Sequence, residues 1–204
     1  MEDFKICLAS TSPRRRQILE SLGVPFYVRG ANTDELEANY ANVESVVVEN
    51  AEAKARAVVA QETHPTLVVA ADTLVVFEKE VMGKPKTSVE VKEWLKRFSG
   101  RRQTVMSGLV LGSHQWGWRK AVVGTHIYFK VLPQHLIEEY IRTLEPYDKS
   151  GGYAIQGLGS LLIERIEGSY TNAMGFPLEQ FLTECGLLLG KSPFTLGFAN
   201  KQGV

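Results

Sequence analysis

A three-layer α/β or α+β domain with a cleft is the fold this chain predicts, and three observations carry it. Leu67–Ala71 is a continuous apolar run of strand length, the mark of a buried central strand. Residues 42–60 place Val43, Val46, Val47, Ala51, Ala55 and Val58 at helical spacing, so an amphipathic helix precedes that strand. Two β-rich runs, 103–112 and 116–131, read as a long antiparallel hairpin turning at Gly112–Gln115. Strands and helices interleaved in this way pack as layers.

Each element follows from local chemistry. Ile6–Ala9 is an apolar first strand, and a Ser/Thr turn leads to a helix with Ile18, Leu19 and Leu22 on its apolar side. Ser12 suits the N-cap, and Pro13 suits the first helical position, where its missing N–H is not needed. Gly23 ends that helix, Pro25–Arg29 form a short strand, and an acid-rich polar stretch follows from Gly30. After Leu67–Ala71 the apolar run stops at Asp72-Thr73, and Leu74–Phe77 continues extended. Met82–Pro85 is a turn. Ser88 caps a helix through Phe98, with Val89, Val91, Trp94 and Leu95 as apolar positions, and Ser99-Gly100 breaks it. Beyond the hairpin come a helix over Pro133–Leu144, a glycine-dense loop over 148–160, a strand at Leu161–Ile166 and a last helix at Phe176–Leu187. Residues 1–190 read as one two-lobed domain and 191–204 as a Gly/Ser/Pro-rich tail.

Composition narrows the function classes. Basic and acidic residues number 23 each, so the formal net charge is +0 and no bulk field draws the protein to nucleic acid or membrane. No apolar run approaches membrane-spanning length and the first residues carry no signal peptide, so a cytoplasmic location is expected. The two cysteines, Cys7 and Cys185, lack C-x-x-C spacing and read as buried small hydrophobes in a reducing compartment.

Against that neutral background Arg14, Arg15 and Arg16 stand out. Cations in a first helical turn oppose the helix dipole by about 0.3–1 kcal/mol each. Helical side chains lean back toward the N-terminus, so arginines, free N–H groups and hydroxyls gather at the end of a strand. That is an anion site, best suited to a polyphosphate; the other reading is a solvated basic turn. Asp72 ends the central apolar run, where α/β sheets present ligands, and an acid there needs a cation, a proton or a partner. The alternative is an Asx cap of a turn. Asp34 and Glu35 offer a second carboxylate, and paired carboxylates beside phosphate suit Mg²⁺ or Mn²⁺. Lys84 in Gly-Lys-Pro and Lys149 among glycines are candidate phosphate contacts, and Gln156 carries the donor and acceptor needed to read a base or ribose. The four histidines are scattered without ligand spacing, and the glycines from 151 to 159 form neither a Walker nor a dinucleotide motif.

Taken in order, Ala9-Ser-Thr-Ser-Pro-Arg-Arg15, Ala71-Asp-Thr73, Gly83-Lys-Pro85, Ser99-Gly-Arg101, Glu145-Pro-Tyr-Asp-Lys149, Gly152-Tyr-Ala-Ile-Gln-Gly157, Gly168-Ser-Tyr170 and Gly175-Phe-Pro-Leu178 resemble the Maf family of nucleoside triphosphate pyrophosphatases. The resemblance spans residues 5–188. It implies a mixed sheet flanked by helices around a deep cleft, similar to that of inosine triphosphatases. It also implies cleavage between the α and β phosphates, a divalent metal (Mg²⁺ or Mn²⁺) and a homodimer. The catalytic base falls on Asp72, further active-site positions on Glu35 and Lys54, and the Lys-Pro lysine on Lys84. Arg14, Thr73 and Gln156 fall on specificity positions and match the branch acting on dTTP and UTP; a sibling branch acting on 7-methyl-GTP resembles Trp, Gln and Glu there. On this reading Arg14, Arg15, Lys54 and Lys84 hold the triphosphate, and Glu35 or Asp72 anchors the metal. The chain departs from the pattern at Ser107, Ala154 and Phe176. Two other readings stay open: a pyrophosphatase for modified purine triphosphates, and a nucleotide-binding regulator without turnover. Neither nucleic acid nor membrane is an expected partner.

Overall fold

In a computed structural model that describes residues 5–192, the chain opens with β1 (Lys5–Leu8), α1 (Pro13–Glu20), β2 (Phe26–Val28), α2 (Val43–Val59) and the long strand β3 (Thr66–Phe77). Next come β4 (Glu80–Met82), α3 (Ser88–Phe98), β5 (Arg102–Ser113), β6 (Gly117–Phe129) and α4 (Gln134–Arg142). Three short 3-10 turns, Glu145–Asp148, Ser150–Gly152 and Gly157–Leu162, come next, and β7 (Ile163–Glu167), α5 (Tyr170–Ala173) and α6 (Leu178–Leu189) follow. Of the expected tail, residues from 193 on lie outside the described residues.

One mixed sheet runs in the order β2-β1-β3-β5-β6-β7, with β4 paired to β3 beside this path. β1 pairs in parallel with both β2 and β3; all other pairs are antiparallel. The chain leaves β1 for β2 through α1, then returns past β1 to β3 through α2. Right-handed crossovers in opposite directions put these helices on opposite faces. The core confirms it. Ile18 and Leu19 of α1 pack with Leu67, Val69 and Ala71, whereas Ala51, Ala55 and Val58 of α2 pack with Val68 and Ala70. The carboxyl end of β1 is therefore a point where strand order reverses, the place where open α/β sheets bind ligands.

On the face away from α2, two cores lie along the same strands. The first joins α1 and α6 through Phe176, Phe181 and Cys185; the second joins α3 and α4 around Phe77, Phe98 and Phe129. A cleft separates them. Both free cysteines, Cys7 and Cys185, are buried.

The structure corrects several local expectations. β3 does not stop at Asp72 but runs unbroken to Phe77, because β5 pairs with it residue by residue from Val68 to Val76. Helix α3 is capped by Thr87 and not Ser88: the Thr87 side chain accepts from Glu90 N, while the Glu90 carboxylate accepts from Thr87 N. Ser12 occupies the N-cap of α1 but forms no side-chain cap; its N–H donates to Ser10 Oγ. β4 and α5, of three and four residues, and the 3-10 turns were not foreseen.

Candidate active site

A cavity of about 980 Å³ opens where one edge of β3 is left bare. β1 registers with β3 only as far as Val69, and β4 begins at Val75. Between them, among the described residues, no strand covers that edge. The first turn of α1, the loop before α2, the Lys84 turn and the glycine-dense segment close around this gap.

Asp72 lies inside it, 6% exposed, with its side chain on the α2 face. Two residues one helical turn apart on α2 meet it. Asn50 Nδ2 donates to Asp72 Oδ2 at 3.1 Å, and Lys54 Nζ lies 2.7 Å from Asp72 Oδ1. The same ammonium lies 2.5 Å from Glu35 Oε1, so Lys54 bridges two carboxylates. Glu35 belongs to the acidic loop, which Asn50 also holds: Leu36 N donates to Asn50 Oδ1 at 2.8 Å, and Asn50 Nδ2 donates to Leu36 O at 3.3 Å. Asp34 is exposed and is not among the residues that line the cavity.

Thr73, the next residue, faces the opposite side. Its hydroxyl meets Ser107 Oγ at 2.8 Å, its registered neighbour on β5, and donates to Gly175 O at 3.2 Å. Arg15 completes this set. Its Nε donates to Gly175 O at 2.8 Å, and its two Nη atoms donate to Ser10 Oγ and Thr73 Oγ1. Enclosure lowers the guanidinium pKa from its ordinary value, and Asp72 and Glu35 push back. Arg15 thus ties α1 to β3 and to the segment before α6 while lining the cleft. Arg14 points to the mouth, with Nη1 3.6 Å from Asp148 Oδ2.

Lys84 lines the cleft with no ion-pair partner among the described residues, in a turn whose Gly83 O accepts from Gly151 N at 2.9 Å. Gln156 is half-buried on the same wall. The backbone beside it wraps the Glu145 carboxylate: Gly159 N donates to Glu145 Oε2 at 2.9 Å. A Cβ on Gly157 would stand 2.2 Å from Glu145 Oε1, and its φ of +66° is itself a glycine conformation. Lys149 is occupied by Glu145 O and Asp148.

The fold therefore gathers Asp72, Glu35, Arg14, Arg15, Lys54, Thr73, Lys84 and Gln156 around one cavity. Asn50 was missed. A polar residue four positions before Lys54, on the apolar side of its helix, is the signal that could have found it. No helix of the described residues is long and apolar enough to cross a membrane. A second cavity, of about 620 Å³, lies at the start of β1 and β3, and its carboxylate, Glu62, is taken up by Tyr27 and Arg29.

The model of the Maf-like protein family matches residues 5–186. The dTTP/UTP pyrophosphatase of Syntrophus aciditrophicus is 41% identical over 177 residues, covering 86% of each chain. That of Halalkalibacterium halodurans is 39% identical over 175 residues, 86% of this chain and 91% of its own. Among solved structures, a nucleoside-triphosphatase, dITP/XTP pyrophosphatase, from Mycobacterium abscessus is 14% identical, with a TM-score of 0.43 over 92% of this chain and 96% of its own.

Proposed function

Because the chain belongs to the Maf family, we propose that it is a nucleoside triphosphate pyrophosphatase that hydrolyses dTTP and UTP to the monophosphate and pyrophosphate. The observation that carries the reading is the buried Asp72 carboxylate, aimed by Asn50 and Lys54 into a cleft that also holds Arg14, Lys84 and Gln156. Nothing in a passive binding pocket calls for such a carboxylate beside phosphate.

Arg14 and Lys84, with the free N–H groups at the start of α1, bind the triphosphate. Arg15 keeps that helix start fixed against Thr73 and Gly175. Asp72 takes the proton from a water that attacks phosphorus and breaks the anhydride between the α and β phosphates. A carboxylate has about four lone-pair sites, so those left by Asn50 and Lys54 are free to accept it. Phosphoryl chemistry of this kind rests on positioning and electrostatics, and it needs no histidine or cysteine nucleophile. Gln156 reads the pyrimidine edge from the opposite wall.

The donors fit a hard divalent cation. Glu35 and Asp72 converge on a point now marked by an ammonium group, and no group of three or more His, Cys, Asp or Glu among the described residues could hold a metal. Mg²⁺ suits such a site, since it binds through one or two carboxylates together with phosphate oxygens and water. Glu35 and Asp72 would hold it, and there it would neutralise charge on the phosphate oxygens. The homodimer and the cytoplasmic location expected from the sequence go with this reading; sedimentation velocity tests the first.

The deciding experiment incubates the full chain with Mg²⁺ and a panel of dTTP, UTP, 7-methyl-GTP and dITP, and measures pyrophosphate and monophosphate. Release from dTTP and UTP supports the reading. Preference for the purine nucleotides replaces the substrate class, and binding without turnover makes the protein a regulator.

A further inference from the structure

We propose that Lys54 and the divalent cation compete for the same carboxylate oxygens, so that metal enters this site only together with a triphosphate that can accept the lysine. The inference rests on the pyrophosphatase reading for the identity of that anion, but the competition itself is a property of the chain. Lys54 Nζ lies 2.5 Å from Glu35 Oε1 and 2.7 Å from Asp72 Oδ1. A Mg²⁺ ion bound to these oxygens would sit at about 2.0–2.1 Å from each, inside the volume the ammonium fills. The two cations exclude one another.

Charge leads to the same conclusion. Asp72 and Glu35 carry two negative charges, and Lys54 with Arg15, which feels both carboxylates, carries two positive ones. A metal entering alone adds two positive charges to a cluster whose four formal charges already balance. The Lys54 side chain is 12% exposed and that of Asp72 is 9%, so water screens the repulsion poorly on the Asp72 side, while Glu35, 60% exposed, meets it from the solvent side. A triphosphate changes the balance. It offers Lys54 new oxygen partners and supplies the metal ligands that two carboxylates lack. The four-carbon stem of lysine lets the ammonium swing from carboxylate to phosphate without movement of α2. Asn50 stays on Asp72 Oδ2, so Asp72 keeps its aim when Lys54 leaves. Metal and nucleotide then strengthen each other's binding by the same factor, about 5–150-fold for coupling of this kind.

The test titrates the full-length chain with Mn²⁺ alone, without nucleotide, reading free Mn²⁺ by electron paramagnetic resonance and melting temperature in parallel. Wild type should bind Mn²⁺ weakly and gain no thermal stability from it. Lys54→Met, close in shape but uncharged, should bind about tenfold tighter or better and gain stability on adding the metal. Lys54→Arg should remain as weak as wild type. Should the Met variant fail to fold by circular dichroism, Lys54→Gln is read in the same way. Tight Mn²⁺ binding by wild type, or equal affinities for wild type and the neutral variant, overturns the proposal. Pyrophosphate release from dTTP is assayed separately. Its failure with the Mn²⁺ pattern intact removes the substrate reading and leaves the competition standing.

Discussion

Gly108 stands directly opposite Asp72 in the β3–β5 ladder, and α2 passes over it so closely that a Cβ there would lie 2.2 Å from Val47 O. Opposed residues in an antiparallel pair share a face, so the glycine that admits the helix and the acid that the helix serves are one cross-strand pair. Close approach at Gly108 is what lets Asn50 and Lys54, further along α2, reach Asp72.

Gly108→Ala should therefore lift α2 from the sheet. Overpacking of this kind costs about 1–3 kcal/mol, and the contact here is with backbone that cannot turn aside. Turnover should fall with stability, because the Asn50–Asp72 bond is stretched. Urea denaturation together with a pyrophosphate assay reads both; an alanine variant as stable as wild type would show that α2 yields freely.

Asp72→Asn keeps the shape and removes the base. Turnover should drop by about 10²–10⁴ while nucleotide affinity changes little. Single-turnover assays beside equilibrium binding separate the two quantities, and unchanged turnover ends the catalytic assignment.

Neighbouring arginines should behave differently. Arg14 projects to the mouth toward Asp148, so Arg14→Ala should weaken triphosphate binding by about 1.5–3 kcal/mol, the scale of a charged hydrogen bond. Its melting temperature should hold or rise slightly, since a cation leaves a helix N-terminus. Arg15→Ala strips donors from Gly175 O, Ser10 and Thr73, and should lower stability by about 1–3 kcal/mol as well as binding. Equal melting temperatures for the two variants would contradict this division.

Gln156→Glu replaces an amide donor by a carboxylate of the same size. A uracil or thymine carbonyl then faces another acceptor with no hydrogen to share, whereas a purine with ring N–H and amino donors is spared. The kcat/KM ratio between UTP and 7-methyl-GTP should shift by about 1–3 kcal/mol in transition-state terms. Uniform losses on all nucleotides would assign Gln156 to the support of its loop.

Alkali should weaken the β1–β2 edge. Burial, then Glu62, pushes the Cys7 thiol from 9.0 to about 11. Burial and the hydrogen bond to Glu62 push the Tyr27 hydroxyl from 10.0 to about 12. Both groups are held neutral by the fold and ionise more readily in the unfolded chain. Their contribution is complete below about pH 9 and is lost as pH rises toward the folded values. The urea midpoint should fall across that window, and less steeply in Tyr27→Phe; parallel slopes would show that Tyr27 does not titrate with folding.

The strongly periodic elements were legible: α2, the apolar start of β3 and the β5–β6 hairpin each repeat their pattern over enough residues to outweigh local noise. β4 and α5 are too short to show a period, and packing against β3 and β6 decides them. At α3, Thr87 and Ser88 compete for the cap, and the position of Glu90 three residues after Thr87 settles the matter by the capping-box rule. The basic turn, Asp72 and Lys84 could be named from residue type and position. That Asp72 sits mid-strand could not, because a buried acid interrupts an apolar run just as a strand end does. The Asn50 bridge and the Glu35–Lys54 contact depend on how α2 lies across the sheet, which no local pattern encodes.

β3 and β5 each run under both cores, contributing Leu67, Val69 and Leu109 to one and Val75, Phe77 and Val105 to the other. The two walls of the cleft are thus mounted on a common frame. Swinging one wall toward the other would have to bend the shared β3–β5 ladder between Asp72 and Val76, unlike a hinge that turns on a linker between separate domains. The rim is built differently, from the loop carrying Glu35, the Lys84 turn and the glycine-dense segment, which lie outside that ladder. The backbone frame under Asp72 and its bond to Asn50 are consequently in place once the chain has folded, and on binding only side chains such as Lys54 have to change partners.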